Sequence, residues 1–127
     1  MIVADTDVLI DFLAGREPAA DRVAAELDTG GLRTTVVTRF ELLSGARSGG
    51  QEAVIRQLLE AIPALGLDEA GGDRAAAVRR DLDASGQRVA MADCLIAGIA
   101  LRHGASLLTN NRRQLERVEG LILEEMS

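Results

Sequence analysis

Apolar positions along the chain alternate between short β-like runs and helical stripes. Ile2 to Ala4 is an apolar run that stops at Asp5, the pattern of a buried strand entering a polar turn. Val8 to Leu13 reads as a short helix closed by Gly15. Pro18 opens a second helix, in which Ala20, Val23, Ala24 and Leu27 fall at i, i+3, i+4 and i+7 before Gly30-Gly31 ends it. Thr34 to Val37 is β-branched and predicts a second strand, after which Thr38 to Ala46 returns to helix. Val54, Ile55, Leu58, Leu59 and Ile62 form an amphipathic stripe stopped by Pro63, and Ala64 to Leu67 predicts a third strand. Asp73 to Ala84 and Ala92 to His103 predict two more helices, ended by Gly86 and Gly104. Ala105 to Leu108 predicts a fourth strand, Arg113 to Val118 a helical turn, and Leu121 to Leu123 a fifth strand.

Strands separated by helices imply parallel βαβ units, so the expected fold is α/β with helices on both faces of the sheet. Residues 1–127 are expected to form one domain, since a chain of this length has no room for a second core. In doubly wound sheets the binding crevice lies at the carboxyl ends of the strands. Asp5 ends the first strand, and Glu41 lies in the helix after the second. Asp93 starts the helix leading into the fourth strand, and Thr109-Asn110-Asn111 leaves that strand. Helices run antiparallel to the strands here, so all four segments are expected on one edge.

Composition narrows the chemistry. The chain has 20 acidic and 14 basic residues, a net charge of −6, so no global basic field draws it to nucleic acid. All the basic residues are arginine, which excludes Schiff-base, P-loop and kinase chemistry that needs a lysine. Phe12 and Phe40 are the only aromatics, too few for a base-stacking platform. One cysteine, Cys94, makes no internal disulfide, and the apolar run Cys94 to Leu101 is far too short to span a bilayer. With Asp5, Asp7 and Asp11 interrupting the apolar start, no signal peptide is expected, and the location expected is cytoplasmic.

Each candidate residue also has an ordinary role. Asp5 and Asp7 suit a turn that caps a helix, and Thr38-x-x-Glu41 spells a capping box. Asp93 complements a helix dipole, and Asn110-Asn111 is common turn chemistry. Their coincidence on one edge is less ordinary, because converging carboxylates repel unless a cation neutralises them. An all-oxygen ligand set of Asp5, Glu41 and Asp93 suits Mg²⁺ or Mn²⁺, an ion commonly used on phosphodiesters. His103 reads as a helix-end residue and Cys94 as a small apolar one.

The blocks Ile2-Val-Ala-Asp5-Thr6-Asp7, Thr38-Arg-Phe-Glu41-Leu-Leu-Ser-Gly45, Met91-Ala-Asp93-Cys94 and Leu108-Thr109-Asn110-Asn111 resemble, in this order, the PIN-domain ribonucleases. Among these the chain is most similar to the VapC-like toxins of bacterial toxin–antitoxin pairs. The resemblance implies a three-layer fold around a five-stranded, mainly parallel sheet. It implies an endoribonuclease with Mg²⁺ or Mn²⁺ on Asp5, Glu41 and Asp93, leaving a 5′-phosphate and a 3′-hydroxyl. Asn111 stands where the family often has a fourth acid, and is expected to serve as a neutral acceptor in the catalytic set. Asp7 adds a carboxylate where Asn or Ser is common. Thr6, Thr109 and Arg112 are expected to contact substrate. The partners implied are RNA, a cognate VapB-like antitoxin covering the site, and a second copy in a homodimer; no membrane is involved.

Two other readings remain open at this point. Asp5-Thr6-Asp7 also resembles the Asp-x-Asp motif of haloacid-dehalogenase-like phosphohydrolases, although the chain is short for that fold and lacks its lysine. A non-catalytic PIN module that only binds is the third, kept alive by Asn111.

Overall fold

The computed structural model describes all residues, Met1 to Ser127. Its elements run β1 (Ile2–Ala4), α1 (Thr6–Leu13), α2 (Ala19–Thr29), β2 (Leu32–Thr35), α3 (Val36–Ser44), α4 (Gly49–Ala61), β3 (Ala64–Leu65), α5 (Glu69–Ala84), α6 (Met91–Arg102), β4 (Ser106–Leu108) and α7 (Arg112–Leu115). The sheet has four parallel strands in the order β3-β2-β1-β4. The chain steps outward from β1 to β3, then crosses back to place β4 on the other side of β1. The order therefore reverses between β1 and β4, and the carboxyl ends of those two strands open a crevice.

Side-chain alternation splits the core into two layers. Val3 and Leu107 face one side, packing with Val78, Leu82, Ala97 and Leu115 from α5, α6 and α7. Ala4 and Leu108 face the other, packing with Val8, Leu9, Val23, Ile55 and Leu58 from α1, α2 and α4. Helices α5 and α6 approach so closely that a Cβ on Gly98 would lie 2.6 Å from both the Cβ and the backbone nitrogen of Ala75. That contact sets how α6, and with it Asp93, lies over the sheet.

Several elements differ from the sequence expectation, among them the following. The second strand ends at Thr35, because the Thr35 side chain caps α3 by accepting from the Thr38 amide at 3.1 Å. The β-branched Val36 and Val37 therefore begin a helix. Helix α5 starts at Glu69, before the pair Gly71-Gly72, because Asp68 accepts from the Gly71 amide at 2.8 Å. Helix α7 stops at Leu115 instead of reaching Val118. The expected fifth strand, Leu121 to Leu123, is reduced to one parallel bridge between Leu107 and Leu123. Two backbone hydrogen bonds of 2.8 Å, from Leu107 N to Ile122 O and from Glu124 N to Leu107 O, hold it. Pairing ends there because arginines take the next carbonyls: Arg112 donates to Glu124 O at 2.6 Å, and Arg22 to Glu125 O at 2.9 Å.

Candidate active site

The crevice is built from four strand ends and helix starts. Asp5 follows β1, is 3% exposed, and caps α1 by accepting from the Val8 amide at 3.1 Å. Its other oxygen accepts from the hydroxyl of Thr109, a fully buried residue directly after β4. The Thr109 oxygen in turn accepts from the Asn111 backbone N–H at 3.0 Å, so one hydroxyl ties β1 to the β4 turn.

Glu41 is not a cap. It lies well inside α3, and its Oε1 accepts from the Thr6 hydroxyl at 2.6 Å. The Thr6 and Thr38 hydroxyl oxygens are 3.0 Å apart, and those of Thr38 and Thr35 are 3.4 Å apart. A hydroxyl has one proton, and a carboxylate only accepts. Thr6 therefore spends its proton on Glu41, and Thr38 donates to Thr6. The threonines form a directed chain that ends on the Glu41 carboxylate and holds it.

Asp93 lies in the first turn of α6, half-buried, and its Oδ2 accepts from the Asn111 side-chain amide at 3.1 Å. Asn111 thus meets Asp93 through its side-chain NH₂. Asp7, in the first turn of α1, is exposed and forms no ion pair.

Electrostatics mark the crevice. Burial pushes the Asp5 carboxyl up to about 6, and the charges of Asp7 and Asp93 push the same way, against the bonds from Thr109 and Val8. Burial likewise raises Asp93, with Asp7 and Glu41 adding to it and the Asn111 bond opposing. All seven ion pairs of the protein lie elsewhere, so no arginine neutralises these acids. No three acidic, histidine or cysteine side chains converge closely enough to enclose an ion by themselves. The donor set still fits Mg²⁺ or Mn²⁺, since such ions keep several waters and need only one or two direct carboxylates.

Arg112 is absent from this constellation. Its guanidinium donates to Glu124 O and pairs with Glu125 at 3.3 Å, which ties it to the C-terminal tail. Cys94 is 3% exposed and its thiol is pushed up by burial, while His103 ends α6. Apolar surface flanks Glu41 on two sides. A groove of about 530 Å³ is lined by Ile10, Leu13, Leu42, Val54 and Ile55, and one of about 430 Å³ by Val36, Phe40, Met91 and Leu95.

A model of the PIN domain matches residues 2–121. The chain belongs to the PIN domain family. It is similar to the tRNA(fMet)-specific endonuclease VapC of Shigella flexneri, with 34% identity over 97% of this chain and 96% of that protein. The ribonuclease VapC11 of Mycobacterium tuberculosis is also 34% identical, over 85% of this chain and 84% of its own. In structure, this PIN domain resembles DNA-bound VapBC from Salmonella typhimurium with a TM-score of 0.84 and 26% identity, covering 99% of this chain and 98% of that one. The α/β PIN fold expected from sequence is therefore the fold observed, with four strands in place of five. The dehalogenase-like alternative falls with this assignment.

Sequence reasoning expected Asp5, Glu41, Asp93 and the Thr109–Asn111 turn on one edge; hydrogen bonds link Asp5, Thr109, Asn111 and Asp93 in one set, and Thr6 and Glu41 in another. It missed Gln114, which accepts from the Asn111 amide at 2.8 Å, and the supporting threonines Thr35 and Thr38. A glutamine three residues after Asn111 in a helical turn was the available signal for the first.

Proposed function

We propose that this PIN domain is the ribonuclease toxin of a toxin–antitoxin pair, hydrolysing RNA phosphodiester bonds in the cytoplasm with Mg²⁺ or Mn²⁺. The observation that carries the reading is that Asp5 and Asp93 are buried or half-buried carboxylates raised further by the charges of Asp7 and Glu41, and none of the four is paired with an arginine. Asp5 and Asp93 are the direct ligands in this reading, with Glu41 completing the charge. When bound, the ion polarises water for attack on phosphorus and offsets charge on the phosphoryl oxygens. The chain's own part is orientation. Thr109 and the Val8 amide hold Asp5, Thr6 holds Glu41, and Asn111 holds Asp93, so these are the residues that would orient the carboxylates for an ion.

Two further features support the partners. VapBC assemblies among the structural relatives support a cognate antitoxin, and the groove beside Glu41 offers an apolar seat ending at a carboxylate. A segment with apolar side chains and one cation fits it. Phe40 and Met91, 69% and 67% exposed, support a homodimer in which a second copy covers them. No helix is long and apolar enough to cross a membrane.

The test is cleavage of total RNA and purified tRNA with Mg²⁺, with Mn²⁺ and with EDTA. Cleavage that needs the ion and is lost in Asp93→Asn is expected. Cleavage that survives both EDTA and Asp93→Asn would refute the assignment.

A further inference from the structure

The structure gives the Asn111 amide a defined orientation, and the cause lies outside the carboxylates. Gln114 Nε2 donates to the backbone carbonyl of Arg88 at 3.1 Å, and Gln114 Oε1 accepts from Asn111 at 2.8 Å. A carbonyl only accepts, so the Gln114 NH₂ must face Arg88 and its oxygen must face Asn111. That oxygen also only accepts, so Asn111 must present its NH₂. One amide hydrogen goes to Gln114 and the other to Asp93 Oδ2, at 3.1 Å. Arg88 lies in the segment that leads from α5 into α6, where Asp93 opens the helix. The path Arg88 carbonyl, Gln114, Asn111, Asp93 therefore closes a ring that straps α7 to the start of α6.

We propose that Gln114 is a positioning residue for the metal site: anchored on the Arg88 carbonyl, it locks the Asn111 amide as a donor to Asp93 Oδ2. This leaves Oδ1 as the Asp93 oxygen without a hydrogen bond from Asn111. The neutral residue at position 111 is then a device for aiming a carboxylate, working only while Gln114 holds its orientation. The inference rests on the proposed divalent-ion site, and its test separates the two.

The experiment is a double-mutant cycle on the folded protein, reading Mg²⁺ affinity by titration calorimetry without RNA. Removing a group that orients a ligand typically weakens metal binding about 10- to 100-fold, so Asn111→Ala should weaken it about tenfold. Gln114→Ala, one step further out, should weaken it roughly three- to fivefold. Because Gln114 acts through Asn111, the double variant should bind no worse than Asn111→Ala alone, whereas independent effects would add. Gln114→Leu, which keeps side-chain bulk, replaces Gln114→Ala if the latter melts early. The second readout needs no metal. The two hydrogens of the Asn111 side-chain amide should have well-separated NMR positions in the parent and move toward free-amide values in Gln114→Ala. Additive losses, or Mg²⁺ affinity unchanged in Gln114→Ala, overturn the proposal. If the parent protein binds neither Mg²⁺ nor Mn²⁺, the divalent-ion reading fails. The amide spectrum then decides the strap alone, and an unchanged Asn111 signal in Gln114→Ala overturns it.

Discussion

Asp5→Asn should abolish the proposed activity and yet stabilise the ion-free protein, with a sign that depends on pH. Asp5 is 3% exposed, and its carboxyl is raised from 3.8 to about 6. The folded state holds this proton more tightly than the unfolded chain, so stability falls as pH rises from about 4 to about 6 and is flat above that. At roughly 1.4 kcal/mol per unit, the charged Asp5 costs the ion-free fold roughly 3 kcal/mol at neutral pH. Asparagine carries no charge, and its oxygen still accepts from the Val8 amide. It cannot accept the Thr109 proton as well, and losing that bond costs about 1 kcal/mol. The balance is a gain of roughly 1 to 2 kcal/mol at pH 7.5, which falls to zero or reverses at pH 4, where Asp5 is already protonated. Urea denaturation in EDTA at the two pH values measures this directly. Saturating Mg²⁺ should reverse the order at pH 7.5, since an ion at 100 times its dissociation constant adds about 2.7 kcal/mol to the parent alone. A variant equally destabilised at both pH values would refute the argument, because it would mean that burial of the Asp5 charge costs nothing.

The remaining predictions concern separate parts of the molecule. Glu41→Gln should change stability by less than about 0.5 kcal/mol, because Glu41 caps nothing, while turnover falls at least about tenfold, or about 1.4 kcal/mol of barrier. Thr35→Ala removes the cap of α3 and should cost about 1 kcal/mol by urea titration; no loss there would return the cap to Thr38. Gly98→Ala drives a Cβ into Ala75 at 2.6 Å and should destabilise by about 2 kcal/mol or more despite the better helix propensity of alanine. Phe40→Glu should shift the proposed dimer to monomer in light scattering, and a dimer that persists would place the interface elsewhere.

Local signals determined much of this protein. The apolar run Ile2 to Ala4 is β1 to the residue, and the alternation of strands and helices implies a parallel sheet with its site at the carboxyl edge. Asp5 and Asp93 were expected on that edge because one follows a strand end and the other opens a helix, and Glu41 because its helix leaves the end of β2. Polar partners do not follow from it. Whether Thr35 or Thr38 caps α3 depends on where β2 stops pairing with β3, which Thr35 opposite Leu65 decides. Arg112 looked free beside Asn111, but the C-terminal tail folds back and takes it. Asn111 became a donor because Arg88, 26 residues before Gln114, offers a carbonyl that turns the Gln114 amide. The raised Asp5 carboxyl needed burial as well as neighbouring charge. Strand and helix patterns are set by the nearest few residues, whereas a polar side chain's partner and exposure depend on segments that only packing brings together.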